Sequence, residues 1–149
     1  ISMKTFQGRV IAASDWTGEA VVSHQGFNTL ASCQSSALMP TAKKIVVSDQ
    51  NNKELYKKDI TGKALCMPET IGSTTGGMII QTIAVRGLAP KAWLFSHPID
   101  PLSASGIILS NVWNQAGLIA IDSLGDEFLQ KVKDGDRIQI KADGSVTIL

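Results

Sequence analysis

Hydrophobic and polar positions change period several times along this chain. KTFQGRVIAA (4–13) and EAVVS (19–23) read as two strands, joined by SDWTG with the Asp and Gly of a turn. HQGFNTLASCQSSALMPTA (24–42) is small, polar and without clear period, which predicts a long irregular loop with one short helical turn. KKIVVS (43–48) reads as a strand, DQNNKELYKKDITGK (49–63) as a polar connection, and ALCMP (64–68) as a short strand buried on both faces. Apolar positions at 78, 79, 80, 83, 84 and 85 predict a mostly buried helix that ends at Gly87, with Pro90 just beyond. KAWLFS (91–96) is another buried strand. PLSASGIILSNVWNQ (101–115) is a helix with Pro101 in its first turn. LIAID (118–122) is a strand, LGDEFLQKV (124–132) a short amphipathic helix, and DRIQIKADGSVTIL a closing hairpin turned by ADGS. Strand and helix alternate through the middle while β-rich segments flank it. The fold class is therefore α/β, a βαβ core wrapped by antiparallel strands, in one domain spanning 1–149. Met3 is read as the natural start, with Ile1 and Ser2 an added remnant.

Composition narrows the function classes. The chain has 149 residues, 44% hydrophobic and 18% charged, enough for a real core and unlike a disordered chain. Net charge is +1 with both signs spread out, so the basic stripe of a nucleic-acid binder is missing. No apolar run approaches the ~18 residues of a membrane span, and no signal peptide is visible, so the expected location is cytoplasmic. Cys33 and Cys66 form no CxxC pair. They read as buried or half-buried thiols of a reducing compartment, with a disulfide as the alternative, and are too few to hold an iron–sulfur cluster alone.

The chemistry concentrates in IGSTTGG (71–77), between a strand and a helix. A helix N-terminus there leaves N–H groups unpaired and favours negative charge, and Gly72, Gly76 and Gly77 let a ligand approach the backbone. An ordinary Ser/Thr cap in a glycine-rich turn is the plainer reading. The stretch has neither the lysine of a P-loop nor GxSxG spacing, so a reactive Ser73 needs an activating group from another chain. His24 and His97 read as surface or structural histidines. Asp100 either caps the helix that begins at Pro101 or points into a shared cleft. Phe27, Asn28 and Ser32 in the long loop are candidates to line a ligand site.

GKALCMPETIGSTTGGMIIQT (62–82), PKAWLFSHPIDPLSASGIILSNVW (90–113) and AIDSLGDEFLQKVKDGDRIQI (120–140), in that order, resemble the swivel domain of the aconitase X family. The resemblance implies a swivelling β/β/α fold and a small subunit of a hydro-lyase that dehydrates a small hydroxy acid. It also implies a large catalytic subunit as partner, which carries an iron–sulfur cluster, while this chain carries no cofactor. The family's serine, proposed as proton acceptor, falls on Ser73, with Gly72, Thr74, Thr75 and Gly76 as its anion-stabilising cradle. FNTLASCQSSAL and SDQNNKELYKKDITG look more like the bacterial branch, which implies cis-3-hydroxy-L-proline as substrate and pyrroline-2-carboxylate as product. The archaeal branch, which dehydrates phosphomevalonate, tends to carry a basic run where this chain has PETIG. A non-catalytic binding or regulatory module of the same fold and an isopropylmalate-isomerase-like small subunit are the other readings. The latter usually has an arginine shortly after the serine, where this chain has Thr-Thr-Gly-Gly.

Overall fold

The computed structural model describes residues 3–72 and 74–149. Ser73, the residue singled out above for chemistry, lies outside the described residues.

The elements, in chain order, begin with β1 (Lys4–Gln7), β2 (Arg9–Ala12), β3 (Trp16–Val22), β4 (Phe27–Asn28) and α1 (Thr29–Leu38). β5 (Ala64–Met67), β6 (Thr70–Ile71), α2 (Gly76–Val85), β7 (Ala92–Phe95) and α3 (Pro101–Asn114) follow. β8 (Ile119–Asp122), α4 (Asp126–Lys131), β9 (Arg137–Ile140) and β10 (Ser145–Ile148) complete the chain. Eight strands form one sheet in the order β1-β10-β9-β3-β5-β7-β8-β2. β3, β5, β7 and β8 run parallel, and the flanking pairs are antiparallel. β1 and β2 sit at opposite ends of that order although Gly8 alone separates them in sequence, so the sheet nearly closes on itself. Gly8 is needed at the bend, because a Cβ there would stand 2.5 Å from Ile121 Cγ2 and 2.7 Å from the Asp122 carbonyl. This is the expected βαβ core wrapped by antiparallel strands.

Alternation through the parallel strands feeds two cores. Leu65, Met67, Trp93, Phe95 and Ala120 face α1, α2 and α3, where they meet Cys33, Ile80, Ile83 and Ile107. Ala64, Cys66, Leu94, Ile119 and Ile121 face the opposite side and pack on Phe6, Phe128, Ile138 and Val146. Strands buried on both faces explain the continuous apolar runs in the sequence. Cys33 and Cys66 are buried, free and on opposite sides of the sheet. Among the described residues no helix is long and apolar enough to cross a membrane.

Three expectations are corrected. The stretch read as an irregular loop contains β4 and α1, a ten-residue helix capped by the Asn28 side chain, which accepts from the Ala31 N–H at 3.0 Å. Its buried stripe is Thr29, Ser32, Cys33 and Ser36, which has helical spacing but polar or small side chains, so no hydrophobic period shows. The strand expected at 43–48 is reduced to one bridge, Val46 to Asp59. Ile45 and Val47 are buried in the helix-side core as an alternating strand would have them, but their backbone–backbone hydrogen bonds go only to Lys57, Lys58 and Ile60 and no sheet neighbour extends the ladder. β3 also starts earlier than expected, at Trp16, whose indole lies over Gly18, where a Cβ would come within 2.1 Å of it.

Candidate active site

Parallel strands β3, β5 and β7 deliver the chain at their carboxyl ends into turns that start α1, α2 and α3, the position where open α/β sheets bind ligands. Two contacts draw those turns together. β4 and β6 pair in parallel, Phe27 with Thr70 and Asn28 with Ile71, which ties the start of α1 to the turn before α2. α2 and α3 cross with backbones touching at Gly77 and Gly106, where a Cβ on either would stand within about 2.6 Å of the other helix's backbone. Any larger residue at that crossing would push the two N-termini apart.

The result is a cavity of about 210 Å³ lined by Thr29, Thr70, Ile71, Gly72, Gly76, Asp100, Leu102 and Ser103. Thr29 opens α1, Gly76 opens α2, and Asp100, Leu102 and Ser103 form the first turn of α3. Three helix N-termini therefore face one space, each with backbone N–H groups that find no partner inside their own helix. Asp100 takes the capping role weighed from the sequence. It caps α3, accepting from the Ser103 N–H at 2.9 Å, and it lines the cavity. The Thr70 hydroxyl donates to the other Asp100 oxygen, and the Ser103 hydroxyl lies 2.9 Å from that of Thr70. Partial burial pushes the Asp100 carboxyl up, but these hydrogen bonds outweigh it and hold the group below the usual carboxylate range, so it is charged at neutral pH. Thr29 is 2% exposed and its hydroxyl has no hydrogen-bond partner.

The residues proposed from sequence are only partly assembled here. Gly72 and Gly76 line the cavity. Asn28 lies against Gly72, where a Cβ would stand 2.5 Å from its Nδ2, and it works as the cap of α1. Ser32 is one turn deeper, fully buried with an unpartnered hydroxyl, and does not line the cavity. Thr74 and Thr75 are exposed beside the cavity, Thr75 at the N-cap position of α2. Thr29, Thr70 and Ser103 were not found from sequence. They come from three separate turns, and only the pairing of β4 with β6 and the Gly77–Gly106 crossing bring them together.

The two histidines lie elsewhere. His97 is exposed, with Nε2 3.1 Å from Asp126 and Nδ1 3.9 Å from Glu69. His24 bonds Glu54 through Nδ1 at 2.6 Å and the Leu129 carbonyl through Nε2 at 3.2 Å. A larger groove of about 530 Å³ opens at the far end of α1 among Met39, Lys43, Lys44, Tyr56 and Lys57. It is size without convergence, since none of the three helix N-termini reaches it.

Among the described residues, neither thiol is suited to bind a metal. Burial pushes the Cys33 thiol up to about 12 and the Cys66 thiol higher still, the opposite of a ligating thiolate. No group of three or more His, Cys, Asp or Glu among the described residues is placed to hold a metal ion.

Comparison with known proteins is consistent with this geometry. Residues 5–148 match the family model for the aconitase X swivel domain. The small subunit of phosphomevalonate dehydratase from Aeropyrum pernix is 32% identical over 92 residues, 62% of this chain and 64% of that protein, just under two thirds of its length. The protein of the same name from Methanocella arvoryzae is 27% identical over 143 residues, 96% of each chain. Among solved structures, aconitase X from Thermococcus kodakaraensis in its holo form superposes with a TM-score of 0.81 at 26% identity, covering 98% of both chains. With nearly its whole length matched to the family, this chain belongs to the aconitase X swivel domains.

Proposed function

We propose that this chain is the small subunit of an aconitase-X-type dehydratase, which completes a cytoplasmic active site shared with a large subunit. The observation that carries the reading is the position of Gly72 and Gly76. Both line, beyond the carboxyl end of a parallel strand, a cavity faced by three helix N-termini and rimmed by the exposed apolar side chains of Ile71 and Leu102. The similarity to chains named small subunits supports a large-subunit partner. On this reading Ser73 accepts the proton alpha to the substrate carboxylate, the hydroxyl on the neighbouring carbon leaves as water, and a carbon–carbon double bond forms. The iron–sulfur cluster belongs to the large subunit.

Phosphomevalonate is the substrate with the most support, through the names of the relatives. One observation favours cis-3-hydroxy-L-proline as a second reading. Among the described lining residues none is basic, and charged Asp100 suits an ammonium better than a phosphate. If phosphomevalonate is the substrate, the large subunit must hold its phosphate. The test is to purify this chain and its large subunit separately, mix them, and follow water loss from each compound. The reading expects dehydration that requires both chains, with phosphomevalonate the better substrate. Equal activity from the large subunit alone, or no activity on either compound, would count against it.

A further inference from the structure

We infer that the cavity between the starts of α1, α2 and α3 seats the carboxylate end of a small hydroxy or amino acid, with Thr29 as a binding residue that sequence reasoning did not assign. In this arrangement the Thr29 hydroxyl donates to the ligand carboxylate, and Asp100 accepts from the ligand's neighbouring hydroxyl or ammonium.

Three features independent of any relative lead here. First, the N-termini of α1, α2 and α3 face one space, and these helices have 10, 10 and 14 residues, long enough for their positive ends to favour an anion. Second, the Thr29 side chain lines that space at 2% exposure with its hydroxyl unpartnered, an arrangement that is costly unless a ligand supplies the missing acceptor. Gly76 keeps the room beside it open, since a Cβ there would stand 4.0 Å from Thr29 Oγ1 and meet nothing closer than the Thr29 Cβ at 3.7 Å. Third, Asp100 selects the kind of anion. Thr70 and Ser103 use two of the roughly four acceptor positions of a carboxylate, which leaves capacity for a ligand donor. A phosphate dianion would stand beside this negative charge with no lysine or arginine among the described lining residues, whereas a carboxylate with an adjacent O–H or N–H satisfies both walls. At about 210 Å³ the space is below the ~300 Å³ of drug-sized ligand sites, which suits a ligand of a few heavy atoms.

The inference deepens the proposed function and rests on it only for the identity of the ligand. Its test therefore uses the full chain alone, with glycolate, acetate and inorganic phosphate as probes followed by backbone amide NMR shifts. Glycolate is expected to give saturable shifts at Thr29, Gly76 and Ser103, to bind more tightly than acetate, and to exceed phosphate by about tenfold. Thr29→Val should weaken glycolate by about tenfold, the loss of one charge-assisted hydrogen bond, while Thr29→Ser retains it. Gly76→Ala should weaken glycolate binding with amide dispersion intact, because its methyl stands against Thr29 and narrows the space without a clash. Phosphate binding as tight as glycolate, wild-type affinity in Thr29→Val, or no saturable shift would overturn the inference. Glycolate binding by a chain whose mixture with the large subunit dehydrates nothing would leave this site standing and remove the dehydratase reading.

Discussion

Gly72 and Gly76 frame the central turn, and alanine at each is expected to move stability in opposite directions. Gly72 has φ +97, where an L side chain is strained at a cost of about 1–2 kcal/mol. Its new Cβ would also stand 2.5 Å from Asn28 Nδ2 and 2.8 Å from Oδ1, the atom that caps α1. Displacing that cap costs about 1 kcal/mol more. The sum, about 2–3 kcal/mol, corresponds to a fall in Tm of about 5–10 °C for a chain of this length. At Gly76, the first residue of α2, the Cβ makes only ordinary contact with Thr29, and alanine removes glycine's extra unfolded-state freedom. Gly76→Ala should therefore gain up to about 0.5–1 kcal/mol, or about 1–3 °C. Calorimetry together with urea unfolding followed by circular dichroism would measure both. A Gly72→Ala protein that melts within about a degree of wild type, or below which Gly76→Ala melts, would refute the account of how this turn is braced.

Arg86 at the end of α2 donates to the carbonyls of Ser36, Ala37, Met39 and Ala42, binding the C-terminal end of α1 to α2. Arg86→Met should lose about 2–4 kcal/mol, discounted for partial exposure, with amide exchange rising first in residues 36–42. Asp122 is buried; burial pushes its carboxyl up, but the Arg9 guanidinium and the Ile99 N–H outweigh that and hold it below the ordinary range. Its stabilising contribution is present above the unfolded value of about 4 and lost as pH falls through the folded value. Arg9→Met should flatten that acid limb in urea midpoints taken down to pH 3. His24 is raised chiefly by its hydrogen bond to Glu54, against some desolvation. Its contribution is therefore complete below the unfolded value of about 6.5 and is lost as pH rises through the folded value, a limb of the Tm profile that His24→Gln should remove.

The parts of the fold legible in the sequence are those buried by hydrophobic side chains. β5, β7 and β8 show as unbroken apolar runs because both faces are covered, and α2 and α3 show through their spacing and punctuation. α1 is equally well buried, but by Thr29, Ser32, Cys33 and Ser36, and a stripe of hydroxyls and a thiol looks like loop. The near closure of the sheet could not be read because one alternating run, 4–13, serves both of its ends by bending at Gly8. For the site, glycine chemistry at 72 and 76 was visible within one short stretch. Thr29, Thr70 and Ser103 were not, since each looks like a common turn or cap residue until the helix crossing brings the three together. The substrate was the least legible feature. The stretches 27–38 and 48–62 suggested one branch of the family, while the relatives named above carry the name of the other.

The central claim is that this chain supplies a reactive group to a dehydratase site it shares with a larger partner. The most direct measurement is turnover by the reconstituted pair with wild-type chain and with Ser73→Ala, at equal subunit occupancy confirmed by size-exclusion chromatography. The account predicts an intact complex whose kcat falls by at least about a hundredfold, the usual contribution of a positioned general base. An intact Ser73→Ala complex that turns over at the wild-type rate would contradict it.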